Sequence, residues 1–348
     1  MYPDRVPREK PNQRIGIIEV ARLAGVSRQT VTRAMNDMSG ISPETKEKVL
    51  AAAEQLRYRP SRFGRELVQQ STRSLGLVIS DLANAYFSEL ASEVAKVVAQ
   101  HGWTLIVKEK HPGPDTGLDE LRSFAGQVDA AIAYTDLAPH DIDAVFGNVP
   151  LVLLDAAERT LDALSPSRPR SAVNIDIEAG LAKAVDHLIS TGRSTIALVD
   201  IDYPSAGSTR ADSYTRLMRA RGLEPRVVRV EALDDDLHIG RRAVETALAA
   251  PEVPDAIIAF NDMSAFGVLK ELRVRGVPVP DECAVVGIDG LRFGVFVEPE
   301  LTTLRLDFAE FANHAFAEIL RMSAASADTP LPHVRKKVFH ELVVRQSA

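Results

Sequence analysis

The chain has 348 residues, of which 45% are hydrophobic and 26% charged, a composition typical of a globular protein of two or three domains. Its apolar runs fall short of the roughly 20 residues of a membrane span, and its polar N-terminal stretch lacks the apolar core of a secretory signal. The single cysteine, Cys283, excludes an intrachain disulfide. We therefore expect a cytoplasmic protein with no membrane partner.

Charge is distributed unevenly along the chain, although the net charge is only −7. Residues 1–75 contain 14 Lys and Arg against 8 Asp and Glu, a net charge of +6. The remaining residues contain 27 basic and 40 acidic side chains, a net charge of −13. A basic head on an acidic body suggests that one end binds a polyanion, although charge alone equally fits a solvated basic tail.

Three short helical patterns follow residues 1–14, which we expect to be a disordered tail because they combine three prolines with alternating charges. Gly25 predicts a tight turn after the first helix, and Ser27 is a candidate N-cap for the second. Ser42, followed by a proline, is a strong start signal for the third helix. Residues 15–60 are therefore predicted to form a helix-turn-helix domain.

In a helix-turn-helix the second helix lies in the major groove, and its N-terminal residues contact base edges. Those residues are Arg28 and Gln29, with Arg33 one turn later. Arg can donate two hydrogen bonds to guanine, and Gln pairs similarly with adenine, while Thr30 suits phosphates or thymine methyls. The alternative interpretation of the two arginines is a solvated basic face.

The segment 61–73 is basic and is predicted to be a linker that includes a short, conditional helix. Pro60 ends the third helix, and Gly64 weakens any helix that follows.

From residue 74 onward, short β-rich runs alternate with helical patterns, which predicts an α/β body with parallel sheets covered on both faces. The Pro- and Arg-rich stretch 159–171 falls midway and favours two lobes. The predicted strands are 75–80, 104–109, 130–135, 151–155, 195–200, 226–231, 256–261 and 283–289.

The segment EVARLAGVSRQTVTRAMND, together with ISPETKEKVLAAAEQLRYRPS, closely resembles the N-terminal domain of the LacI/GalR family of transcription regulators. The resemblance continues through SLGLVISDLANAYF to the C-terminus. It implies an all-α helix-turn-helix head, a hinge helix, and a two-lobed body with a periplasmic-binding-protein-like fold. It also implies a DNA-binding set consisting of Ser27, Arg28, Gln29, Thr30, Arg33, Asn36 and Leu67.

In this family a hinge-helix leucine wedges into the central base step of the operator, and the matching residue is Leu67. An ordinary leucine on a short helix is the alternative. The chain departs from the family pattern at Gly16, Ser61 and Gly64. The last change should make the hinge helix costlier to order, by up to about 1 kcal/mol relative to Ala.

The resemblance also implies where the chain passes between lobes. The first lobe would comprise about 74–172 and 306–332, and the second about 173–305 and 333–348, within a dimerisation and effector-binding domain 74–348. The last helix would return to the first lobe, and the terminal segment from Lys336 would be a strand of the second. No leucine heptad tail is present, so we expect a homodimer.

Polar and aromatic residues follow the predicted strands, where ligands bind in open α/β sheets. These positions match the family's effector contacts: Ser80, Asn84, Tyr86, Phe87, Arg210, Asn261, Asp289 and Phe308. Each has a structural alternative. Asn261 suits a helix cap, Asp289 a turn, Arg210 a surface ion pair, and Tyr86 with Phe87 the core.

The sequence thus predicts a DNA-binding repressor controlled by a small effector, a sugar, bound between the lobes, acting on a pseudo-palindromic operator. A regulator that responds to a purine-like corepressor is the alternative, and a solute-binding protein is a remote one. The chain has no G-x-S-x-G, H-E-x-x-H or P-loop motif and no clustered cysteines, so we expect no enzyme activity, cofactor or metal site.

Overall fold

The computed structural model describes residues 17–35, 39–56, 73–110, 117–202, 209–231, 236–325 and 331–348. It separates the chain into a head, residues 1–72, and a body, residues 73–348. Helices in the described part are α1 (Ile17–Ala24), α2 (Arg28–Met35), α3 (Pro43–Gln55), α4 (Ala85–Gln100), α5 (Leu118–Ala125), α6 (Pro139–Phe146), α7 (Glu158–Ala163), α8 (Ile177–Ser190), α9 (Thr209–Ala220), α10 (Asp236–Leu248), α11 (Asp262–Val274) and α12 (Phe308–Ala324).

The strands of the body are short and mostly buried. They are β1 (Ser74–Ile79), β2 (Thr104–Glu109), β3 (Ala130–Ala133), β4 (Leu151–Leu154), β5 (Arg170–Asp176), β6 (Ile196–Asp202), β7 (Arg226–Glu231), β8 (Ala256–Ile258), β9 (Ala284–Asp289), β10 (Thr302–Arg305), β11 (Val334–Phe339) and β12 (Glu341–Val343). All eight predicted strands are therefore present, although those predicted at 130–135 and 256–261 end two and three residues earlier.

The head packs three helices around small and branched side chains. Val20, Val31 and Val49, one from each helix, are fully buried. Ser42 accepts a hydrogen bond from Thr45 N at 3.2 Å and so caps α3, as its sequence predicts. Each helix is too short to be stable alone, so burial of this shared core holds the three together.

The body contains two six-stranded sheets. The first has the order β11-β5-β4-β3-β1-β2 and is entirely parallel. The second has the order β12-β10-β9-β8-β6-β7, with β12 antiparallel at its edge. Each sheet with its helices is called a lobe here, the first and the second respectively. The predicted α/β class with parallel sheets is confirmed.

Each sheet is covered by apolar side chains on both faces. Helices α4 and α12 cover one face of the first sheet, and α5, α6 and α7 cover the other. In the second lobe, α10 and α11 pack on one face and α8 and α9 on the other. No helix within the described part of the chain is long and apolar enough to cross a membrane.

The chain passes between the lobes at three places, and two of them differ from the predicted boundaries. Strand β5 pairs with β4 and β11 in the first sheet, so the first crossing follows Asp176 rather than residue 172. Consequently the stretch 159–171 lies inside the first lobe and does not separate the lobes. The second crossing follows β10, as predicted.

The third crossing corrects the assignment of residues 333–348 to the second lobe. Val334 pairs with Ser171 and Phe339 with Asp176, so β11 belongs to the first sheet, with Val338 in the first-lobe core. Only after His340 does the chain enter the second sheet as β12. The sequence predicts a single strand here because the segment from Lys336 contains no Gly or Pro that would mark the crossing.

Candidate functional site

The head presents the first turn of α2 to solvent. Ser27, Arg28 and Gln29 are exposed, whereas Thr30 and Arg33 are half-buried. Val31 and Ala34 on the opposite face are buried in the head core, as predicted. The helix therefore has one anchored side and one free polar side.

Backbone geometry fixes where α2 begins. Gly25 has φ of +66°, which favours glycine and turns the chain after α1. Ser27 Oγ then accepts a hydrogen bond from Thr30 N at 3.1 Å, as an N-cap does. The predicted start at Ser27 is confirmed. Asn36, Leu67 and the hinge segment 61–69 lie outside the described residues.

In the body, the carboxyl ends of the two sheets face each other, since Asn84, after β1, contacts Asp236, after β7. The region between these two edges, where open α/β folds bind ligands, is called the cleft here. Seven of the eight predicted effector residues belong to one network of hydrogen bonds, ring contacts and electrostatic interactions, parts of which cross this cleft. Ser80 is half-buried at the end of β1 and has no contact with the other seven among the described interactions.

A carboxylate of the second lobe joins amides from both lobes. Asp236, the first residue of α10, accepts a hydrogen bond from Asn261 Nδ2 at 2.9 Å. The same oxygen of Asp236 accepts one from Asn84 Nδ2, in the first lobe, at 3.3 Å. Both asparagines also cap helices, since Asn84 Oδ1 accepts from Tyr86 N and Asn261 Oδ1 from Ser264 N. Asn261 thus caps α11 through Oδ1, which confirms the cap predicted from the sequence, and it contacts Asp236 through Nδ2.

Aromatic rings of the first lobe form a cluster at the start of α4. Tyr86 packs edge-on against Phe87 and Phe308, at centroid distances of 5.1 and 5.2 Å. Tyr134 lies 5.2 Å from Phe87 in a similar arrangement. Tyr86 belongs to the first-lobe core, yet its buried hydroxyl has no hydrogen-bond partner among the described residues. Burial, above all, raises the pKa of Tyr86 well above its usual value.

Arg210 is held against the chain that follows β8. Its guanidinium lies over the Phe260 ring, 4.1 Å from the centroid, and donates a hydrogen bond to the Phe260 carbonyl. Among the described residues it forms no surface ion pair, the alternative that its sequence left open. Its charge acts on Tyr86, Asp155 and Asp289.

Asp289 ends β9 and is only 6% exposed. Burial raises its pKa well above the usual value, and the neighbouring carboxyl of Asp262 raises it further. Asp262 is fully buried behind it and accepts hydrogen bonds from Thr303 Oγ1 at 2.6 Å and Leu291 N at 2.7 Å. Burial raises the pKa of Asp262 to about 7 despite these bonds.

The sequence interpretation missed four cleft residues. Tyr134 and Asp155 directly follow β3 and β4, so the rule that ligands bind at the carboxyl ends of strands would have identified them. Phe260 follows β8 in the same way. Asp236 is the last of three consecutive aspartates after β7, a signal that was available but weaker.

Two family models match the chain. One, for bacterial regulatory proteins of the lacI family, matches residues 16–61, and a periplasmic binding protein-like domain matches residues 185–348. The chain is 31% identical over 295 residues to catabolite control protein A of Priestia megaterium, covering 83% of this chain and 87% of that protein. The chain belongs to the LacI family.

Solved structures agree with this assignment. A LacI family transcriptional regulator from Arthrobacter sp. FB24, in complex with lactose, is 30% identical with a TM-score of 0.68, over 79% of this chain and 99% of that one. The Lac repressor dimer bound to operator and the anti-inducer ONPF is 25% identical with a TM-score of 0.75, over 96% and 99% of the two chains. This LacI-family chain is a DNA-binding transcriptional repressor with a ligand-binding body.

Proposed function

We propose that this repressor loses or gains operator affinity when a sugar binds in the cleft between its lobes. The observation that carries the proposal is the arrangement of Asn84, Asp236 and Asn261, which brings polar groups of both lobes to one place. A ligand that contacts these groups would touch both lobes at once. Its binding would therefore favour one angle between the lobes over another.

The chemistry of the cleft suits a polyhydroxylated ligand. Carboxylates, amides and a guanidinium can each form paired hydrogen bonds to neighbouring hydroxyl groups. Asp289, Asn261 and Arg210 supply these three groups from the second lobe. The ring cluster of Tyr86 and Phe308 offers an apolar surface against which a sugar ring can pack. The lactose complex of the Arthrobacter relative supports this class.

Operator reading belongs to the head. Arg28 and Gln29 would contact base edges, with Ser27, Thr30 and Arg33 on the neighbouring backbone and bases. Two heads on a two-fold homodimer would read a pseudo-palindromic operator. The Lac repressor relative is a dimer on operator, which supports this arrangement.

An exposed apolar surface supports the homodimer. In the 3₁₀ helix Arg292–Val295 and the residue after it, Phe293, Val295 and Phe296 are 43%, 44% and 78% exposed. Exposed large apolar side chains grouped in this way mark association surfaces. A second copy of the chain is the partner we propose for them.

The test combines ligand screening with operator binding. Thermal shift against sugars and nucleobases should identify compounds that stabilise the body, and each hit should change affinity for an operator from the chain's own promoter region. Arg210→Ala should abolish the stabilisation while leaving unliganded operator binding intact. Lys48→Ala, an exposed change on α3, is the control for the ligand response.

Two outcomes would contradict the proposal. Stabilisation that persists in Arg210→Ala would place the ligand elsewhere. Hits that stabilise the body without changing operator affinity would separate the ligand from regulation. Because coupling between two sites is reciprocal, operator DNA must also change ligand affinity by the same factor.

One observation favours a second ligand class. Tyr86, Phe87, Tyr134 and Phe308 form a continuous aromatic cluster beside polar groups. Such a surface also suits a flat purine-like corepressor. A nucleobase hit that strengthens operator binding would select this alternative.

A further inference from the structure

A carboxylate of the chain itself occupies the amides of two predicted effector contacts. Asn84 Nδ2, in the first lobe, and Asn261 Nδ2, in the second, both donate to Oδ2 of Asp236, at 3.3 and 2.9 Å. The Oδ1 atom of each asparagine accepts a backbone N–H and so caps its helix. Because Oδ1 is the acceptor in each cap, Nδ2 is the amide atom that faces Asp236. One carboxylate oxygen therefore binds donor groups from both lobes.

The bond to Asn261 lies within a closely packed part of the second lobe. A Cβ on Gly240 of α10 would lie 2.1 Å from a backbone oxygen of α11, and a Cβ on Gly267 of α11 would lie 2.3 Å from Leu237 O. The two helices therefore touch backbone to backbone, which only glycine allows. Since Leu237 directly follows Asp236, this contact fixes Asp236 relative to the start of α11.

The bond to Asn84 is the one that can open. It is the longer of the two, and its partners belong to different lobes. A change in the angle between the lobes would therefore lengthen it and leave the bond to Asn261 intact. Asn84 and Asp236 are both half-buried, so a ligand can reach the bond from the cleft.

A ligand and Asp236 would compete for the same donor. A ligand oxygen that accepts from the Asn84 N–H facing Asp236 would have to lie about 2.9 Å from Nδ2. Asp236 Oδ2 occupies that position, at 3.3 Å. Two oxygens cannot share one position, so a ligand that binds there displaces Asp236 from Asn84.

We propose that Asp236 is an internal competitor of the effector. Without effector its carboxylate occupies the amide of Asn84 and keeps the lobes in contact, and a hydroxyl oxygen of the effector replaces it on binding. This inference rests on the proposed function, which places a polyhydroxylated effector in the cleft. It makes Asp236 a residue that lowers effector affinity, unlike Asn84, which raises it.

Calorimetric titration of the full chain with lactose tests the competition. Asp236→Ala frees the amide of Asn84, so lactose should bind roughly fivefold more tightly than to the native chain, because binding no longer breaks a hydrogen bond. Asp236→Asn keeps an acceptor oxygen but loses the charge, so its affinity should lie between the two. Asp119→Ala removes a 94% exposed acid from the first turn of α5 and is the control. Weaker or equal binding of lactose by Asp236→Ala would overturn the proposal.

A double-mutant cycle shows whether the effect passes through Asn84. In the Asn84→Ser background Asp236 has no amide to occupy at that position, so adding Asp236→Ala should change lactose affinity less than about twofold. A gain as large as in the native background would show that Asp236 acts through another residue, and the proposal would fail.

Hydrogen exchange without ligand decides the question even if lactose does not bind. Asp236→Ala should make exchange at the first turn of α4 roughly fivefold faster, because Asn84 loses its partner in the second lobe. Exchange where α10 and α11 touch, at Gly240 and Gly267, should keep the native rate. Unchanged exchange at α4, or equal acceleration in α10 and α11, would overturn the proposal, since Asp236 would then not hold the lobes in contact.

The titrations keep the two proposals apart. If Asp236→Ala binds lactose more tightly but lactose leaves operator affinity unchanged, the competition stands and the proposed function fails. If lactose changes operator affinity but Asp236→Ala binds it no more tightly, the proposed function stands and the competition fails.

Discussion

Asn84 in the first lobe and Asp236 in the second are joined by a hydrogen bond of 3.3 Å that crosses the cleft. Asn84 can make this bond because its other amide atom, Oδ1, is occupied in capping α4 at Tyr86 N. Asp236 is in turn held by Asn261 Nδ2 at 2.9 Å. The start of α4 is therefore connected to the starts of α10 and α11.

Replacing Asn84 tests whether this bond holds the lobes together. Asn84→Ser keeps a capping oxygen but cannot reach Asp236, so we expect the contact between the two lobes to be weaker by about 1 kcal/mol. Hydrogen exchange at the first turns of α4 and α10 should be roughly fivefold faster. Asn84→Asp also keeps the cap but places two carboxylates together, and should accelerate exchange further. Equal exchange rates in the native chain and both variants would show that the bond does not stabilise the contact between the lobes.

Substitutions at Gln29 and Arg28 should distinguish contacts with base edges from contacts with DNA phosphates. We expect Gln29→Ala to lose about 1–3 kcal/mol of discrimination between operator and mutated operator, with little change in the salt dependence of binding. If Arg28 contacts a base, Arg28→Ala should also reduce discrimination between the operators. If Arg28 instead contacts a phosphate, Arg28→Ala should lower the slope of the salt dependence by about 1. Fluorescence anisotropy at several salt concentrations measures both effects.

Lys48→Ala is the matched control for the head, because Lys48 is exposed on α3 and pairs with Glu44 at 3.0 Å. Its operator discrimination should equal that of the native chain. If Gln29→Ala discriminates as well as Lys48→Ala does, α2 is not the reading helix.

Gly287 makes room for the buried carboxyl behind the cleft. A Cβ at this position would collide with Asp262 Oδ1, the oxygen that accepts from Thr303. Gly287→Ala should therefore destabilise the body by about 3 kcal/mol, through overpacking and loss of these bonds. Gly126→Ala is the control, since its nearest neighbour would be 3.5 Å away. Urea unfolding measures the free energy of unfolding of both variants. Equal stability would contradict the close packing of Gly287 against Asp262.

His340 occupies the third crossing between the lobes, buried against Gly180. It is 3% exposed, and a Cβ on Gly180 would lie 2.8 Å from its Nδ1, for which the described part of the chain supplies no hydrogen-bond partner. The pKa of His340 is lowered from 6.5 to about 4, chiefly by burial and also by the charges of Arg210 and Lys183, while Asp176 opposes them.

This shift predicts a pH-dependent stability. The unfolded chain takes up the proton first as pH falls below 6.5, so the folded state loses stability from about pH 6.5 down through about pH 4. His340→Gln removes this titration, and its unfolding free energy relative to the native chain should rise by about 3 kcal/mol across that window. His140→Gln, at a side chain 81% exposed, is the control. A difference that is independent of pH would contradict the buried neutral state.

Much of this architecture could be read from local patterns. The start of α2 at Ser27, the cap at Ser42 and the eight strands all follow from caps, turns and apolar runs, which act over a few residues. Ligands of open α/β sheets bind at the carboxyl ends of the strands, and parallel strands end at a common edge. This rule also predicted one cleft for Asn84, Tyr86, Arg210, Asn261 and Asp289.

Other features depended on which strands pair. The assignment of Val334–Phe339 to the first sheet is set by its register with β5, and no residue in the terminal segment marks the change of lobe at His340. Likewise, only the approach of α10 to α4 shows that Asp236 receives Asn84, 152 positions away in sequence. By itself, the sequence determined a helix-turn-helix head and an α/β body, since periodicity and capping are local. Tertiary structure decided where the chain crosses between lobes and how many carboxylates share the cleft, because both depend on contacts between residues far apart in the chain.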